Sequence, residues 1–288
     1  MKKLLRDPDN DNIKLFIKDK EKIDFEKLQK KVLENQKRME SVKKVFKKNK
    51  ALFLAYDQGL EHGPEDFNDK NVNPKYIIDI AKKGRYSGLI FQKGIASKYL
   101  KEIKESNVPL IVKLNGKTNL VKGEPISRQI CTVEEALNLG AVGVGYTIYL
   151  GSKHESKMLK EFANIQRKAK KKGILVIAWI YPRGSSINGK SKIKLMAYAA
   201  RVGLEIGADI IKIRYEGKKK DLEWAVQNAG KTKVVIAGGV KKDEKKLIKQ
   251  VREIISAGCA GLAIGRNVWQ AKDPMEITKK LKKEVWSK

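Results

Sequence analysis

The chain has little of what metal centres, disulfides and membrane spans require. Its 288 residues include two histidines, His62 and His154, and two widely separated cysteines, Cys131 and Cys259. Neither pair has the spacing of zinc ligands, so we expect no metal and no disulfide. No apolar run approaches the roughly 18 residues of a transmembrane helix, and the polar segment 1–12 carries no secretory signal. These absences favour a reduced, cytoplasmic protein without a membrane partner.

Arginine and acidic residues are scarce relative to lysine. Lys and Arg number 63 against 33 Asp and Glu, a formal net charge of +30, and arginine accounts for 10 of the 63. Proteins that read nucleic acids rely on arginine for bidentate contacts, whereas these lysines are spread along predicted helices, as at 168–172. We therefore favour a solvated, lysine-rich surface and expect no nucleic-acid partner, with a basic nucleic-acid-binding protein as the distant alternative. A positive surface would also steer an anionic ligand toward a binding site on the protein.

Eight short apolar segments, rich in β-branched residues, alternate with amphipathic segments of helical period, of which the clearest are 156–171, 191–206 and 243–257. The predicted strands start about 20–36 residues apart, the length of one strand–helix unit. They are 51–57, 87–92, 109–114, 140–146, 173–181, 208–215, 233–238 and 260–265. Eight such units predict a closed (β/α)₈ TIM barrel of the α/β class, which needs about 250 residues. An open doubly wound sheet is disfavoured, because no glycine-rich phosphate turn follows the first strand.

Residues 1–50 are predicted to form a helical extension ahead of a single catalytic barrel, 51–288. Asp24 is placed to cap a helix that runs over 25–28 and continues its apolar face at Val32 and Leu33. The extension is expected either to pack under the barrel or to build a subunit interface.

The chemistry of such barrels lies at the C-terminal ends of the strands, and the sixth strand carries Lys212 between Ile211 and Ile213. A closed barrel has no solvent-exposed edge, so this lysine is expected to be buried, which disfavours its charged form. Arg214 shares its face two residues further on, and Lys113 has a comparable place on the third strand. Both cations would lower the pKa of Lys212 further. Because a neutral amine can attack a ketone, we predict that Lys212 is an imine-forming nucleophile.

Two aromatic residues share one face of the fifth strand, which neighbours the sixth. Tyr181 lies at the very top of that strand, because Pro182, Arg183 and Gly184 follow it. We predict that Tyr181 reaches the imine site as a proton shuttle. Trp179 fits interior packing and substrate contact equally well.

Glycine pairs and an arginine end the last two strands, where barrels often bind phosphate. Gly238 and Gly239 end the seventh strand, and Gly265 precedes Arg266 at the end of the eighth. Arginine adds a bidentate donor, so a phosphate site is predicted there. His62 is expected to line the same pocket without holding a metal.

Four segments together resemble the archaeal-type class I fructose-bisphosphate aldolases. They are YDQGLEHGP at 56–64, WIYPRG at 179–184, IKIR at 211–214 and GRNVWQ at 265–270, in the family's order. The resemblance covers about residues 50–272. It implies a (β/α)₈ barrel, no metal or other cofactor, and a homo-oligomer, often a decamer. It also implies reversible cleavage of fructose 1,6-bisphosphate to dihydroxyacetone phosphate and glyceraldehyde 3-phosphate.

The resemblance also implies a role for individual residues. It assigns Schiff-base formation to Lys212, proton transfer to Tyr181, and contacts with a substrate hydroxyl or the carbinolamine to Asp57. Phosphate groups would be held by Arg183, Gly238, Gly239, Gly265 and Arg266. Other substrate contacts are expected from Trp179, Lys113, Arg214 and His62.

Two positions depart from the family pattern, and one related activity stays open. Ile180 stands where many relatives have serine, but it should point away from the barrel interior. Arg214 stands where a second lysine is frequent, and arginine cannot serve as the nucleophile. The alternative is a 2-amino-3,7-dideoxy-D-threo-hept-6-ulosonate synthase of the same fold, which is similar in its lysine and YPRG motifs. The segment 59–64 resembles the aldolases better.

Overall fold

The computed structural model describes residues 25–287 and folds them into a closed parallel barrel. The eight barrel strands follow one another in chain order, and the last pairs with the first. They are β1 Ala51–Ala55, β2 Gly88–Gln92, β3 Leu110–Lys113, β4 Gly143–Leu150, β5 Leu175–Pro182, β6 Ile210–Ile213, β7 Lys233–Ala237 and β8 Gly261–Ile264. Each overlaps its predicted segment, so the predicted (β/α)₈ fold is confirmed. A short antiparallel pair, Asn115–Gly116 with Arg128–Gln129, follows β3.

Helices surround the barrel and connect its strands. They are α1 Phe25–Val45, α2 Gly59–His62, α3 Pro74–Gly84, α4 Lys93–Lys98, α5 Leu100–Ser106, α6 Val133–Asn138, α7 Glu155–Lys172, α8 Lys192–Glu205, α9 Lys219–Asn228, α10 Glu244–Ser256, α11 Arg266–Trp269 and α12 Pro274–Val285. The three clearest predicted helices correspond to α7, α8 and α10. Side chains cap several of them. At the start of α10, for example, the Asp243 side chain accepts a hydrogen bond from the backbone N–H of Lys246. Across residues 25–287, the helices lack the combination of length and apolar composition that a bilayer span requires.

The barrel strands are buried on both faces, and alternate residues serve two apolar layers. Phe53 and Ile177 fill the barrel interior, whereas Leu54 and Ile211 pack against the helices outside. Ile180 belongs to the outer layer, as its sequence position predicted. Burying a side chain of this size contributes roughly 1.5–3 kcal/mol, so these layers supply most of the favourable energy of the fold.

The C-terminal end of α1 closes the floor of the barrel, at the N-terminal ends of the strands. Val45 is 1% exposed and belongs to the interior cluster, and Val42 and Phe46 pack against it. Arg38 forms an ion pair with Asp209, which precedes β6. The predicted cap of this helix, Asp24, lies outside the described residues. The described part of the extension therefore packs under the barrel.

Strands β4 and β5 are longer than the others and run beside each other over eight paired residues. The sequence predicts an end for β4 at Tyr146, but the strand continues to Leu150. Its β-branched and aromatic continuation favours extended backbone, and β5 supplies hydrogen-bonding partners along the whole length. The extension raises Tyr149 to the rim of the barrel.

Gly145 in β4 leaves the space that the indole of Trp179 occupies. A Cβ at this position would lie 1.7 Å from Trp179 Cζ3, so Gly145→Ala must displace the ring. We expect a loss of roughly 1–3 kcal/mol in the free energy of unfolding, measured by chemical denaturation. Gly94→Ala in α4 is the matched control, since a Cβ there meets nothing within 4 Å. Equal unfolding free energies for the two variants would contradict the packing described here.

Candidate active site

A cavity of about 130 Å³ opens at the C-terminal ends of the barrel strands. All twelve residues that the sequence singles out lie around it, from Asp57 after β1 to Arg266 after β8. The lining also includes residues that the sequence reasoning did not assign. The full lining is Ala55, Asp57, Gln58, Glu61, His62, Lys113, Tyr149, Trp179, Tyr181, Arg183, Lys212, Arg214, Ala237, Gly238, Gly239, Ala263, Gly265 and Arg266. The closure of the barrel therefore brings together groups that are up to about 200 residues apart in the chain.

Lys212 lies at the base of this cavity and is 6% exposed. Its strand neighbours Ile211 and Ile213 pack against the outer helices, so the alternation of β6 directs the lysine inward. The ammonium nitrogen lies 5.0 Å from the centroid of the Trp179 ring, on the paired residue of β5. Burial lowers the pKa of Lys212 to about 8, against the opposing attraction of Asp57 and with a further lowering by Lys113. About half of this amine is therefore neutral at pH 8.

Asp57 and Lys113 form a buried pair beside that amine. Lys113 Nζ lies 3.4 Å from Asp57 Oδ2, and both residues are 7% exposed. Burial alone would raise the pKa of Asp57, but the attraction of Lys212 and Lys113 outweighs it, so the pKa lies below its usual value. The aspartate thus stays ionised. Its negative charge partly offsets the positive charges of Lys113 and Lys212.

Tyr181 stands two residues above Trp179 on the same face of β5. The guanidinium carbon of Arg214 lies 5.4 Å from the centroid of the Tyr181 ring. Burial, followed by the charge of Asp57, raises the pKa of Tyr181 well above its usual value. The resting group is therefore a neutral phenol at physiological pH. Tyr146, on β4, lies outside the cavity, and its hydroxyl forms hydrogen bonds with Glu161 and the Ser127 carbonyl.

The turns after β7 and β8 form the predicted phosphate end of the cavity. Gly239 has φ +67°, and a Cβ on Gly265 would lie 2.5 Å from the Ala55 oxygen, so both positions require glycine. Asn267 joins the two turns, since its Nδ2 donates to the carbonyls of Gly238 and Val240 at 2.9 Å. This brace was not assigned from the sequence.

The opposite rim has two further groups, Glu61 and Tyr149, to which the sequence analysis assigned no role. Glu61 accepts a 2.7 Å hydrogen bond from Arg183 and a 3.4 Å hydrogen bond from the Tyr149 hydroxyl. The guanidinium of Arg183 lies 5.3 Å from the centroid of the Tyr149 ring. Glu61 stands in the segment 56–64, but its pairing with a residue 122 positions away has no local signal. Tyr149 was missed because β4 is longer than its pattern predicts.

Two buried donors in the cavity have no hydrogen-bond partner within residues 25–287. They are Gln58 Nε2 and Trp179 Nε1. A buried donor without a partner costs about 1–3 kcal/mol. The site therefore combines one weakly basic amine, a neutral phenol, an ionised carboxylate and cations at both sides of its mouth.

A buried lysine of lowered pKa at the base of a cavity in a closed barrel is the arrangement expected of an aldolase of the Schiff-base class. Residues 51–271 match the DeoC/LacD family of aldolases. The class 1 fructose-bisphosphate aldolase of Thermoproteus tenax is 46% identical over 243 residues, which cover 83% of this chain and 91% of that protein. A Methanocaldococcus jannaschii protein named fructose-bisphosphate aldolase/6-deoxy-5-ketofructose 1-phosphate synthase is 36% identical over 235 residues, 76% of this chain and 75% of that one.

A solved archaeal fructose-1,6-bisphosphate aldolase superposes with a TM-score of 0.82 at 44% identity, covering 87% of this chain and 100% of that one. In that structure the catalytic lysine is covalently bound to the carbinolamine intermediate of the substrate. The chain accordingly belongs to the archaeal-type class I fructose-bisphosphate aldolases, within the DeoC/LacD aldolase family.

The charges around Lys212 generate a prediction for pH. With its pKa near 8, roughly a tenth of the amine is neutral at pH 7 and nearly all of it above pH 9, so imine trapping should rise through pH 8. Lys113→Met removes a cation and should move the midpoint up, whereas Asp57→Asn removes an anion and should move it down. The measurement is the initial rate of borohydride trapping with dihydroxyacetone phosphate between pH 6 and 10. Shifts in the same direction for both variants would contradict this electrostatic arrangement.

Proposed function

We propose that the chain reversibly cleaves fructose 1,6-bisphosphate to dihydroxyacetone phosphate and glyceraldehyde 3-phosphate through an imine on Lys212. The observation that supports this most is the geometry of β5 and β6. A buried amine of lowered pKa and a neutral phenol stand one strand apart at the mouth of the same cavity. Neutral amine and phenol are the protonation states that imine formation and proton transfer need.

The order of side chains along β5 supports one orientation of the sugar. Trp179 is the register partner of Lys212 in the neighbouring strand, and the Lys212 amine would attack the carbonyl carbon C2. Tyr181 stands one step higher on the same face, where the C4 hydroxyl would lie, and Arg183 follows at the rim. Successive residues on one face of a strand are about 7 Å apart, so Arg183 suits the phosphate on C6. The phosphate on C1 then belongs to the turns of Gly238, Gly239, Gly265 and Arg266.

The first half of the reaction forms the imine. Neutral Lys212 adds to C2, and the amine proton passes to the carbonyl oxygen to give a carbinolamine. Tyr181 donates its proton to the departing hydroxide, which leaves as water, and a protonated imine and a phenolate remain. Asp57, ionised beside the amine, would hold the carbinolamine hydroxyl. Trp179, Lys113, Arg214 and His62 line the cavity and are proposed to contact the substrate.

The second half breaks the carbon–carbon bond. The phenolate of Tyr181, a strong base because its pKa is raised, takes the proton of the C4 hydroxyl. The C3–C4 electrons move into the imine to form a neutral enamine, and glyceraldehyde 3-phosphate leaves. Tyr181 returns the proton to C3, and water hydrolyses the imine to release dihydroxyacetone phosphate and the free amine. Two phosphate anchors fix this alignment, an orientation effect of about 7–11 kcal/mol at best.

The sister activity, a 2-amino-3,7-dideoxy-D-threo-hept-6-ulosonate synthase, is the second candidate. The double name of the Methanocaldococcus jannaschii relative links an aldolase of this kind with two sugar phosphates. Two cationic ends of the cavity favour a bisphosphate over an aldehyde that carries one carboxylate. Direct comparison of fructose 1,6-bisphosphate cleavage with condensation onto aspartate semialdehyde separates the two. Nucleic-acid binding remains the distant alternative, motivated by the charge alone.

We further propose a setting for the enzyme. Its reaction belongs to sugar phosphate breakdown and synthesis, glycolysis and gluconeogenesis, in the cytoplasm. No cofactor or metal takes part in the steps above. Residues 1–50 are proposed as an extension that closes the barrel floor, and 51–288 as the catalytic domain.

We propose that the chain assembles into a homo-oligomer, and a decamer is the size that its family resemblance implies. Tyr198 on α8 and Trp224 on α9 are 61% and 58% exposed, and these two helices pack side by side. Large exposed apolar groups of this kind mark interaction surfaces. Light scattering of the purified protein should give a mass several times 32.5 kDa, and a Tyr198→Glu, Trp224→Glu double variant should lower it. A monomeric mass for the unaltered protein would contradict the proposal.

Borohydride reduction in the presence of dihydroxyacetone phosphate tests the nucleophile. We expect a stable adduct on Lys212, found by peptide mass mapping, together with loss of turnover. Lys212→Met should trap nothing and turn over nothing, because Lys113, the other lysine of the lining, is paired with Asp57. Lys93→Met, at an exposed ion pair with Glu135, is the matched control. An adduct on Lys93 or Lys113 with Lys212 unmodified would overturn the assignment.

Tyr181→Phe tests the proton shuttle separately from the nucleophile. The ring and its packing stay, but one positioned proton donor and acceptor is lost, typically worth 10²–10⁴ in rate. We expect turnover of fructose 1,6-bisphosphate to fall by about that factor while an imine can still be trapped on Lys212 over longer incubation. Tyr146→Phe, which removes a phenol outside the cavity, is the control. If Tyr181→Phe turned over within about threefold of the unaltered enzyme, Tyr181 would be a packing residue and Glu61 the next candidate.

A further inference from the structure

In the segment 56–66, which follows β1, three carboxylates each pair with a different cation of the cavity. Asp57 pairs with Lys113 at 3.4 Å, and Glu61 pairs with Arg183 at 2.7 Å. A third carboxylate, Asp66, lies 3.2 Å from Arg266. The two arginines proposed for the two phosphate groups are thus held by one short stretch of chain.

Backbone contacts on several sides hold this segment in place. The indole Nε1 of Trp269 donates to the Ala55 carbonyl at 3.1 Å, just before the segment begins. The Glu61 carbonyl accepts from the Asn119 backbone at 3.0 Å. The Asp66 carbonyl accepts from Gln270 Nε2 at 2.7 Å. The carboxylates therefore stand on a fixed backbone.

Arg183 and the carboxylate that pairs with Arg266 are each also held from a second direction. Arg183 lies over the ring of Tyr149, whose hydroxyl is 3.4 Å from Glu61. Asp66 offers one oxygen to Arg266 and the other to His62 Nδ1, at 2.6 Å. A free arginine side chain loses much rotamer freedom when it binds an anion. These contacts remove that freedom before the substrate arrives.

We propose that Glu61 and Asp66 are positioning residues that fix the distance between the two phosphate-binding arginines, so that the cavity selects a sugar with phosphates at both ends. Glu61 acts through Arg183 on the phosphate of C6, and Asp66 acts through Arg266 on the phosphate of C1. This inference rests on the proposed function and on the orientation of the sugar given there.

A carboxylate beside a phosphate site has a second effect of opposite sign, because it repels the phosphate. Substitution by amide and by alanine separates the two effects. Glu61→Gln removes the charge but keeps an oxygen that can accept from Arg183, whereas Glu61→Ala removes both. If position matters, alanine weakens binding and the amide restores it. If repulsion dominates, both substitutions strengthen binding.

The experiment measures kcat and KM for fructose 1,6-bisphosphate and fructose 1-phosphate in four variants, Glu61→Ala, Glu61→Gln, Asp66→Ala and Asp66→Asn. For Glu61→Ala we expect KM to rise about tenfold for the bisphosphate, the size expected for a lost charge-assisted hydrogen bond, and to stay within about twofold for fructose 1-phosphate. For Asp66→Ala we expect about the same rise for both substrates. The amide variants should lie within about threefold of the unaltered enzyme, and kcat should change little throughout.

Trapping with dihydroxyacetone phosphate gives a second readout that does not need turnover. This ligand carries only the phosphate next to the carbonyl. Half-maximal trapping on Lys212 should therefore need about tenfold more ligand in Asp66→Ala and an unchanged amount in Glu61→Ala. Glu65→Ala and Asp69→Ala, which remove exposed carboxylates from the same loop, are the matched controls and should leave every value unchanged.

Lower KM values in both Glu61 variants, equal effects of Glu61→Ala on both sugars, or alanine and amide variants that behave alike would overturn the proposal. An Asp66→Ala variant with a raised KM for the bisphosphate alone would also overturn the proposal. Failure of the unaltered enzyme to trap dihydroxyacetone phosphate on Lys212 would instead overturn the proposed function. The two failures are therefore distinguishable in the same set of measurements.

Discussion

The structure depends on lowering the pKa of one amine inside a cavity that must also attract anions. Burial at the base of a closed barrel supplies most of the effect, because it disfavours the charged form of Lys212. Lys113 adds to it, and Asp57 opposes it. A lone Lys113 would itself be costly to bury, and its pairing with Asp57 at 3.4 Å reduces that cost. The pair thus allows a second lysine to stay near the first without leaving an uncompensated charge.

The shape of the cavity mouth is related to the position of this amine on the inner face of β6. A parallel barrel has no edge, so a lysine on the inner face of β6 cannot reach solvent except through the mouth. The long parallel pairing of β4 and β5 raises the rim on one side, and there the mouth gains Tyr149 and Arg183. The shorter β7 and β8 end in turns that need glycine at Gly239 and Gly265. One side of the cavity is therefore built of side chains and the other largely of backbone.

The sequence predicted the barrel well, because a closed barrel buries both faces of every strand and each strand is therefore an apolar segment of the sequence. Each of the eight strands is apolar on both faces, and this makes its position visible without its neighbours. Lys212 could be found for the same reason, since a charged residue stands out in such a run. Tyr149 could not be placed, because its own neighbours favour extended backbone but the length of β4 also depends on the hydrogen-bonding partners that β5 supplies. The pairings of Glu61 and Asp66 were equally inaccessible, since only the fold determines that they meet arginines 122 and 200 positions away.

A substrate with two phosphates brings roughly three to four negative charges into this cavity, and these would raise the pKa of Lys212 just when a neutral amine is needed. The cations of the lining answer that difficulty by their placement. Arg183 and Arg266, the arginines proposed to bind the two phosphates, line the cavity after β5 and β8, where each would neutralise a phosphate at its own binding position. Lys113 stands close to the amine and offsets the remaining negative field there. If the same cations were grouped around Lys212, the phosphates would bind too near the carbonyl. If the rim carried no cations, the phosphate charge would raise the pKa of the amine. The division of positive charge between rim and base is therefore what reconciles tight binding of an anion with a nucleophile that has to be uncharged.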